Sequence, residues 1–261
     1  MNKVAVVTGA SKGIGAALAA ALAREGYRVY DLSRSGSDRP GIRHIHCDVS
    51  EHENLAQALY TVMQEAGGID LAVSNAGFGI SGSLESATPE MIEAQININL
   101  CASAQFARLV LPEIRRRRGR LVLISSVAAY VPIPFQALYS ATKAAIASLA
   151  MSLDNEVRGS GARVLAILPG DLATDFTANR IKSEESDSFY RQRVSSSVSR
   201  MEKDEQGGKT PEWAAGQIVK IALAGNPSPC TTLGAKYKLV SFLLRFFPPR
   251  ALNYIISKLY G

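Results

Sequence analysis

The chain has 261 residues, is 47% hydrophobic and 20% charged, and carries a formal charge of +6. Such a length and balance suit one large α/β domain and exclude a disordered or fibrous chain. The excess charge is confined to the end of the chain: six basic residues and no acidic one follow Trp213, leaving 23 of each sign before it. No zinc spacing or helix-turn-helix signature accompanies that charge, so nucleic acid is not an expected partner. Cys47, Cys101 and Cys230 have neither paired nor metal-ligand spacing, which points to a reducing, cytoplasmic setting and to no metal site. The N-terminal residues enter a strand pattern at once, without the apolar core of a signal peptide.

Lys3–Thr8 is a short valine-rich run, as expected for a strand buried on both faces. It leads into Thr8-Gly9-Ala10-Ser11-Lys12-Gly13-Ile14-Gly15 and an alanine/leucine helix over Ala16–Arg24. A strand, a glycine-rich turn and a helix N-terminus together suit a pyrophosphate. Tyr27–Leu32 reads as a second strand, followed by Ser33-Arg34. In dinucleotide-binding folds an acid near this place holds the ribose diol. Ser33 stands there instead, and Asp31 is expected to point elsewhere by strand alternation. Arg34 with Lys12 makes a cationic pair suited to a 2′-phosphate, favouring NADP(H).

Arg43–Cys47 is a third strand. Asp48-Val49 follows, with Asp48 placed to meet an adenine ring. Ser50 and Glu53 read as a capping box for a helix ending near Ala66. Ile69–Val73, the fourth strand, ends in Asn75-Ala76-Gly77, small enough for a ribose to lie over it. Thr88-Pro89 starts a long helix to about Arg117, which contains Asn97 and Asn99. Leu121–Ser125 and Arg163–Leu168 are the fifth and sixth strands, separated by a helix over Ala137–Glu156. Six strands alternating with helices predict a Rossmann-type, doubly wound parallel sheet in a single domain, with ligands at the strand carboxyl ends. The polar stretch 175–209 reads as a lid or loop, and Thr210-Pro211 caps one more helix.

The stretch 121–143 carries the chemistry. Ser126 stands at a strand end, and Tyr139 and Lys143 are one helical turn apart on one face. A neighbouring ammonium is expected to lower the pKa of the phenol, which suits proton exchange with an alcohol or carbonyl.

In order and spacing these motifs resemble the short-chain dehydrogenase/reductase family over about residues 3–225. Thr8–Gly15 resembles its glycine motif, Asn75-Ala76-Gly77 its asparagine-alanine-glycine motif with Ser74 in place of the leading asparagine, and Tyr139 with Lys143 its YxxxK pair. The resemblance implies Asn99, Ser126, Tyr139 and Lys143 as the catalytic set. It implies that Lys143 also binds the nicotinamide ribose, that Asn99 holds a water, and that Pro169, Gly170 and Thr174 hold the carboxamide. The expected activity is NADP(H)-dependent interconversion of a carbonyl and an alcohol. The alternative is a non-catalytic NADP-binding sensor or scaffold on the same fold.

The chain departs from the family after residue 234. A valine-aspartate-glycine-glycine sequence common at tetramer interfaces is absent, which favours a dimer through helices 90–117 and 137–156. Residues 1–234 are expected to form the catalytic domain and 235–261 an apolar, basic helical extension. Leu252, Ile255, Ile256 and Leu259 repeat as on an amphipathic helix, with Lys236, Lys238, Arg245, Arg250 and Lys258 interspersed. Such a tail is expected to pack or cap, with peripheral membrane contact through 236–261 as the other reading. Ala128, Val131, Pro132, Ile133, Pro134 and Phe135 form an apolar wall, favouring a lipophilic substrate.

Overall fold

The computed structural model describes residues 3–176, 179–185 and 187–260, without the side chain of Arg245. Its strands are Val4–Thr8 (β1), Arg28–Ser33 (β2), Ile42–His46 (β3), Leu71–Ser74 (β4), Ile80–Ser81 (β5), Arg120–Ile124 (β6), Arg163–Leu168 (β7), Ile181–Lys182 (β8) and Cys230–Thr232 (β9). Seven of them form one sheet in the order β3-β2-β1-β4-β6-β7-β9, and every pairing in it is parallel. The short β5 and β8 pair separately. The helices are Gly13–Arg24 (α1), His52–Ala66 (α2), Pro89–Ile96 (α3), Ala102–Arg116 (α4), Ala137–Glu156 (α5), Ser188–Gln206 (α6), Pro211–Ala222 (α7), Ala235–Leu243 (α8) and Pro249–Tyr260 (α9).

Strand alternation divides the core in two. Val4 and Val6 join Leu55 of α2, Phe106 of α4 and Ile146 of α5 on one face. Ala5 and Val7 join Leu18 and Leu22 of α1 and Ile218 of α7 on the other. With both faces covered, the strands need no polar side, hence their unbroken apolar runs. Each large buried side chain contributes about 1.5–3 kcal/mol. Strand order reverses beside β1, where β2 lies on one side and β4 on the other. This is the switch point at which such sheets open a crevice for ligands.

Several details differ from expectation. The stretch 175–209 holds the 19-residue helix α6. Asp187 caps it by accepting from the Phe189 N–H at 2.8 Å, and Val194, Val198 and Met201 bury one stripe. A seventh strand, β9, extends the sheet beyond β7. The long helix from Pro89 is interrupted by a π-helical turn at Asn97–Cys101. Ser50 does not cap α2. Its hydroxyl donates instead to Asp48 at 2.6 Å. The tail, for which packing or capping is the expectation, lies on the rest of the fold: Tyr237 of α8 is against the backbone of Gly170 and α9 packs on α6 through Tyr260.

Candidate active site

The glycine turn is held from below. Gly9 and Gly13 have φ of +65° and +57°, the left-handed region that glycine enters without strain. At Gly15 a Cβ would stand 2.3 Å from the Gly9 carbonyl oxygen and 2.5 Å from Asn75 Nδ2, so no side chain fits. Asn75 is the buttress: its Nδ2 donates to the Thr8 and Gly9 carbonyls at 3.0 and 3.1 Å. The Thr8 hydroxyl in turn accepts from the Asn75 and Ala76 N–H groups at 2.9 and 3.0 Å. Asn75 therefore commits its amide hydrogens to the loop rather than to a ribose.

Asp31 is fully buried and accepts from the Ala10 N–H at 3.0 Å. Arg39, which sequence reasoning missed, donates to the Ala10 carbonyl at 3.0 Å. Together they hold the two peptide groups that flank Ala10. Ser33 is buried, and its hydroxyl donates to the Ser35 carbonyl at 2.9 Å, so it is turned inward and away from a ribose. Lys12 and Arg34 are exposed and follow the carboxyl ends of the neighbouring parallel strands β1 and β2, with Arg34 a loose 4.0 Å from Asp48. Burial alone would raise the Asp48 pKa. Hydrogen bonds from Ser50 and the charge of Arg34 outweigh it and hold the carboxyl below its ordinary value. Ile14 and Val49 are half-buried against the two core clusters, and Ser11 is half-buried.

The first turn of α1 has no side-chain cap, so its N–H groups and positive end are free to meet an anion. With the close-approach glycines, this fits a dinucleotide pyrophosphate. Thr174 faces the turn across the crevice, its Cβ 4.0 Å from where a Gly13 Cβ would stand. Pro169 accepts from the Val127 N–H at 2.9 Å, tying the end of β7 to the turn after β6.

The four residues expected to be catalytic converge beyond β6. The Ser126 hydroxyl accepts from the Ala128 N–H at 3.1 Å. Lys143 is 5% exposed. Its Nζ donates to the Ile124 carbonyl at 2.9 Å and stands 5.7 Å from the centre of the Tyr139 ring. Burial pushes the Lys143 pKa down to about 8. It pushes Tyr139 up to about 12, against the lowering effects of the Ser126 hydroxyl and Arg180. The expected lowering of Tyr139 is therefore not found: loss of solvent outweighs the nearby positive charge.

Asn99 is fully buried in the π turn. Its Nδ2 donates to the Phe78 carbonyl and Thr142 Oγ1 at 3.0 and 3.2 Å, and its Oδ1 accepts from the Phe78 N–H at 3.0 Å. One lone pair of Oδ1 is left for a water. A Cβ on Gly77 would stand 3.1 Å from that oxygen and 3.7 Å from Lys143 Nζ, so Gly77 leaves the space between them open.

Four residues around this centre gave no sequence signal. Phe176 lies on Tyr139 with ring centres 5.6 Å apart. The Arg180 guanidinium stands over Phe176 at 5.7 Å and is bonded to Glu205 of α6. Tyr237 donates to Asp171 beside Gly170. The apolar wall is partly consumed, because Ile133 and Phe135 pack under α6. A hollow of about 340 Å³ remains beside it, lined by Leu84, Glu85, Phe135, Ala137 and Tyr190 among others.

A family model for short chain dehydrogenases matches residues 3–185. The chain belongs to the short-chain dehydrogenase/reductase family. It is therefore an oxidoreductase of Rossmann-like fold. It is 36% identical over 241 residues to a 3-ketodihydrosphingosine reductase of Bacteroides thetaiotaomicron, covering 89% of this chain and 88% of the relative. A crystal structure of a short-chain dehydrogenase from Streptomyces avermitilis superposes with a TM-score of 0.83 at 29% identity, covering 94% of this chain and 93% of that one. An alcohol dehydrogenase from Thermococcus sibiricus, complexed with 5-hydroxy-NADP, superposes with a TM-score of 0.73 at 25% identity, covering 90% and 97%. No described helix is long and apolar enough to cross a membrane.

Proposed function

We propose that this chain is an NADPH-dependent reductase of lipophilic ketones, with Tyr139 as the proton donor. The observation that carries the reading is the half-buried Tyr139 beside the Ser126 hydroxyl, at the carboxyl edge of the sheet. A phenol raised to about 12 keeps its proton at neutral pH, as a general acid in carbonyl reduction must. Ser126 holds the substrate oxygen and stabilises the charge developing on it. Lys143, with a pKa near 8, remains mostly protonated at pH 7, balances a phenolate once the proton has left, and holds the ribose. Asn99 keeps a water beside Lys143 for reprotonation. When bound, the cofactor supplies the hydride.

NADP(H) is favoured over NAD(H) because Lys12 and Arg34 are exposed at the ribose end and Asp31 is turned into the loop. Pro169, Gly170 and Thr174 would hold the nicotinamide end. A lipophilic substrate is supported by the hollow beside Phe135 and Tyr190 and by the reductase named above, which acts on a keto-lipid. Assembly as a dimer through α4 and α5 in the cytoplasm completes the reading, and sedimentation equilibrium tests the dimer.

The tail supports a second element. Leu239, Phe242, Phe246 and Phe247 are exposed, at 59, 55, 70 and 45%. Together they make an apolar patch of the kind that marks an interaction surface. Lys236, Lys238, Arg250 and Lys258 are exposed around them, and no acidic residue follows Glu212. An anionic bilayer surface complements this charge, whereas a second copy of the tail would repel it.

The test is NADPH and NADH consumption with ketones graded in size and polarity. The expected result is turnover of long-chain ketones with NADPH. Cofactor binding without consumption of any ketone would leave the scaffold reading instead.

A further inference from the structure

Arg180 is the most deeply buried charge of the lid and the least satisfied. Its side chain is 1% exposed. One nitrogen, Nη2, is bonded to Glu205. The other two, Nε and Nη1, are buried without a hydrogen-bond partner among the described residues. Guanidinium nitrogens only donate, and leaving a buried donor unpaired is costly. Unpaired groups of this kind have a functional role or are met by a water or a ligand acceptor.

The guanidinium lies close to Tyr139. It lies over Phe176, and Phe176 lies on Tyr139. Nε is 3.8 Å from where a Cβ on Gly79 would stand, in the turn whose Phe78 is held by Asn99. Arg180 is thus one aromatic ring away from the proton donor. Its charge is already balanced by Glu205, so a substrate carboxylate or phosphate would bring a second anion to one buried cation. A neutral acceptor would not.

We propose that Arg180 binds substrate, donating from Nε and Nη1 to a neutral oxygen, a hydroxyl or second carbonyl, carried close to the reacting ketone. The inference rests on the reductase reading and deepens it: the substrate is an oxygenated ketone, not a plain one.

The experiment compares a long-chain 3-ketone with the same chain bearing a C1 hydroxyl. The wild-type protein should prefer the hydroxyketone in kcat/KM by roughly 10–100-fold, the range of a hydrogen bond from a charged donor. The Arg180→Met, Glu205→Met double variant removes both charges, so no carboxylate is stranded in the lid. In it the ratio should collapse to within a few-fold, through KM. Equal use of both ketones by the wild-type protein overturns the proposal. So does a double variant that keeps the preference, or one that loses NADPH affinity, since Arg180 would then serve the cofactor. If the wild-type protein reduces neither ketone, the reductase reading fails. Calorimetric binding of the two ketones to NADP-loaded protein then still reads the preference.

Discussion

Lys143 and Tyr139 share a helix face with the ammonium 5.7 Å from the ring centre, yet burial shifts both away from their charged forms. Lys143 falls to about 8 from 10.5, and Tyr139 rises to about 12 from 10.0. The resting site is therefore set for a neutral tyrosine.

That pair makes stability without cofactor depend on pH. The unfolded chain holds the Lys143 proton more tightly than the folded one, so stability rises with pH between about 8 and 10.5. Tyr139 acts in the opposite sense: its contribution is full below about 10 and is lost as pH rises towards 12. Denaturant titrations of wild-type protein and Lys143→Met should show the wild type gaining on the variant across the lower window. The gain should approach about 3 kcal/mol, from about 1.4 kcal/mol per pKa unit. A difference independent of pH would contradict the buried-ammonium account.

Removing the phenol hydroxyl separates chemistry from binding. Tyr139→Phe should retain NADPH affinity within a few-fold and lose turnover by at least about 100-fold, the low end for a general acid. Fluorescence titration and steady-state assays read the two parts. Undiminished turnover would remove Tyr139 from the mechanism.

Cofactor choice should reside at the exposed cations. Arg34→Ala should weaken NADPH binding by roughly 10–100-fold, the range for a lost charged hydrogen bond, and leave NADH binding unchanged. Equal weakening of both would place Arg34 on the adenine rather than on the phosphate.

Glu185 ties the lid down. Its carboxylate accepts from the Ser83 N–H at 2.7 Å, from the Ser83 and Ser86 hydroxyls at 2.9 Å, and from Ser183 at 2.9 Å. Burial would raise its pKa, but these bonds outweigh burial and lower it. The tie is therefore present above the ordinary carboxylate range and lost as pH falls through the depressed value. Glu185→Ala should speed hydrogen exchange in β8 and α6 at pH 7, with little effect on α1. Uniform acceleration would mean global destabilisation instead.

The tail should bind vesicles of phosphatidylserine and phosphatidylcholine, and less so phosphatidylcholine alone. Phe242→Ser with Phe246→Ser should abolish sedimentation with them while NADPH affinity persists. Point variants are required, because truncation after Gly234 would also remove Tyr237 from Gly170 and α9 from α6. Persistent binding by the double variant would direct attention away from this patch.

Local chemistry was the legible part. The valine runs, the glycine turn and the Tyr139–Lys143 spacing follow from periods of two and 3.6, and the caps at Thr88 and Thr210 are formed as read, accepting from Met91 and Trp213. Less visible were β9, whose three residues are too few for a pattern, and α6, whose buried stripe is diluted by charge. The sequence by itself determined the alternation of strands and helices, the glycine turn and the placing of Tyr139 and Lys143 on one helix face, because these depend on neighbours within a turn or a strand. Only the tertiary structure decided the rest. It turned Ser33 inward, shifted the pKa values of Tyr139 and Lys143 through burial, and brought Phe176, Arg180, Glu205 and Tyr237 over the site. Those effects arise between groups far apart in the chain and depend on excluded water, which no local pattern encodes.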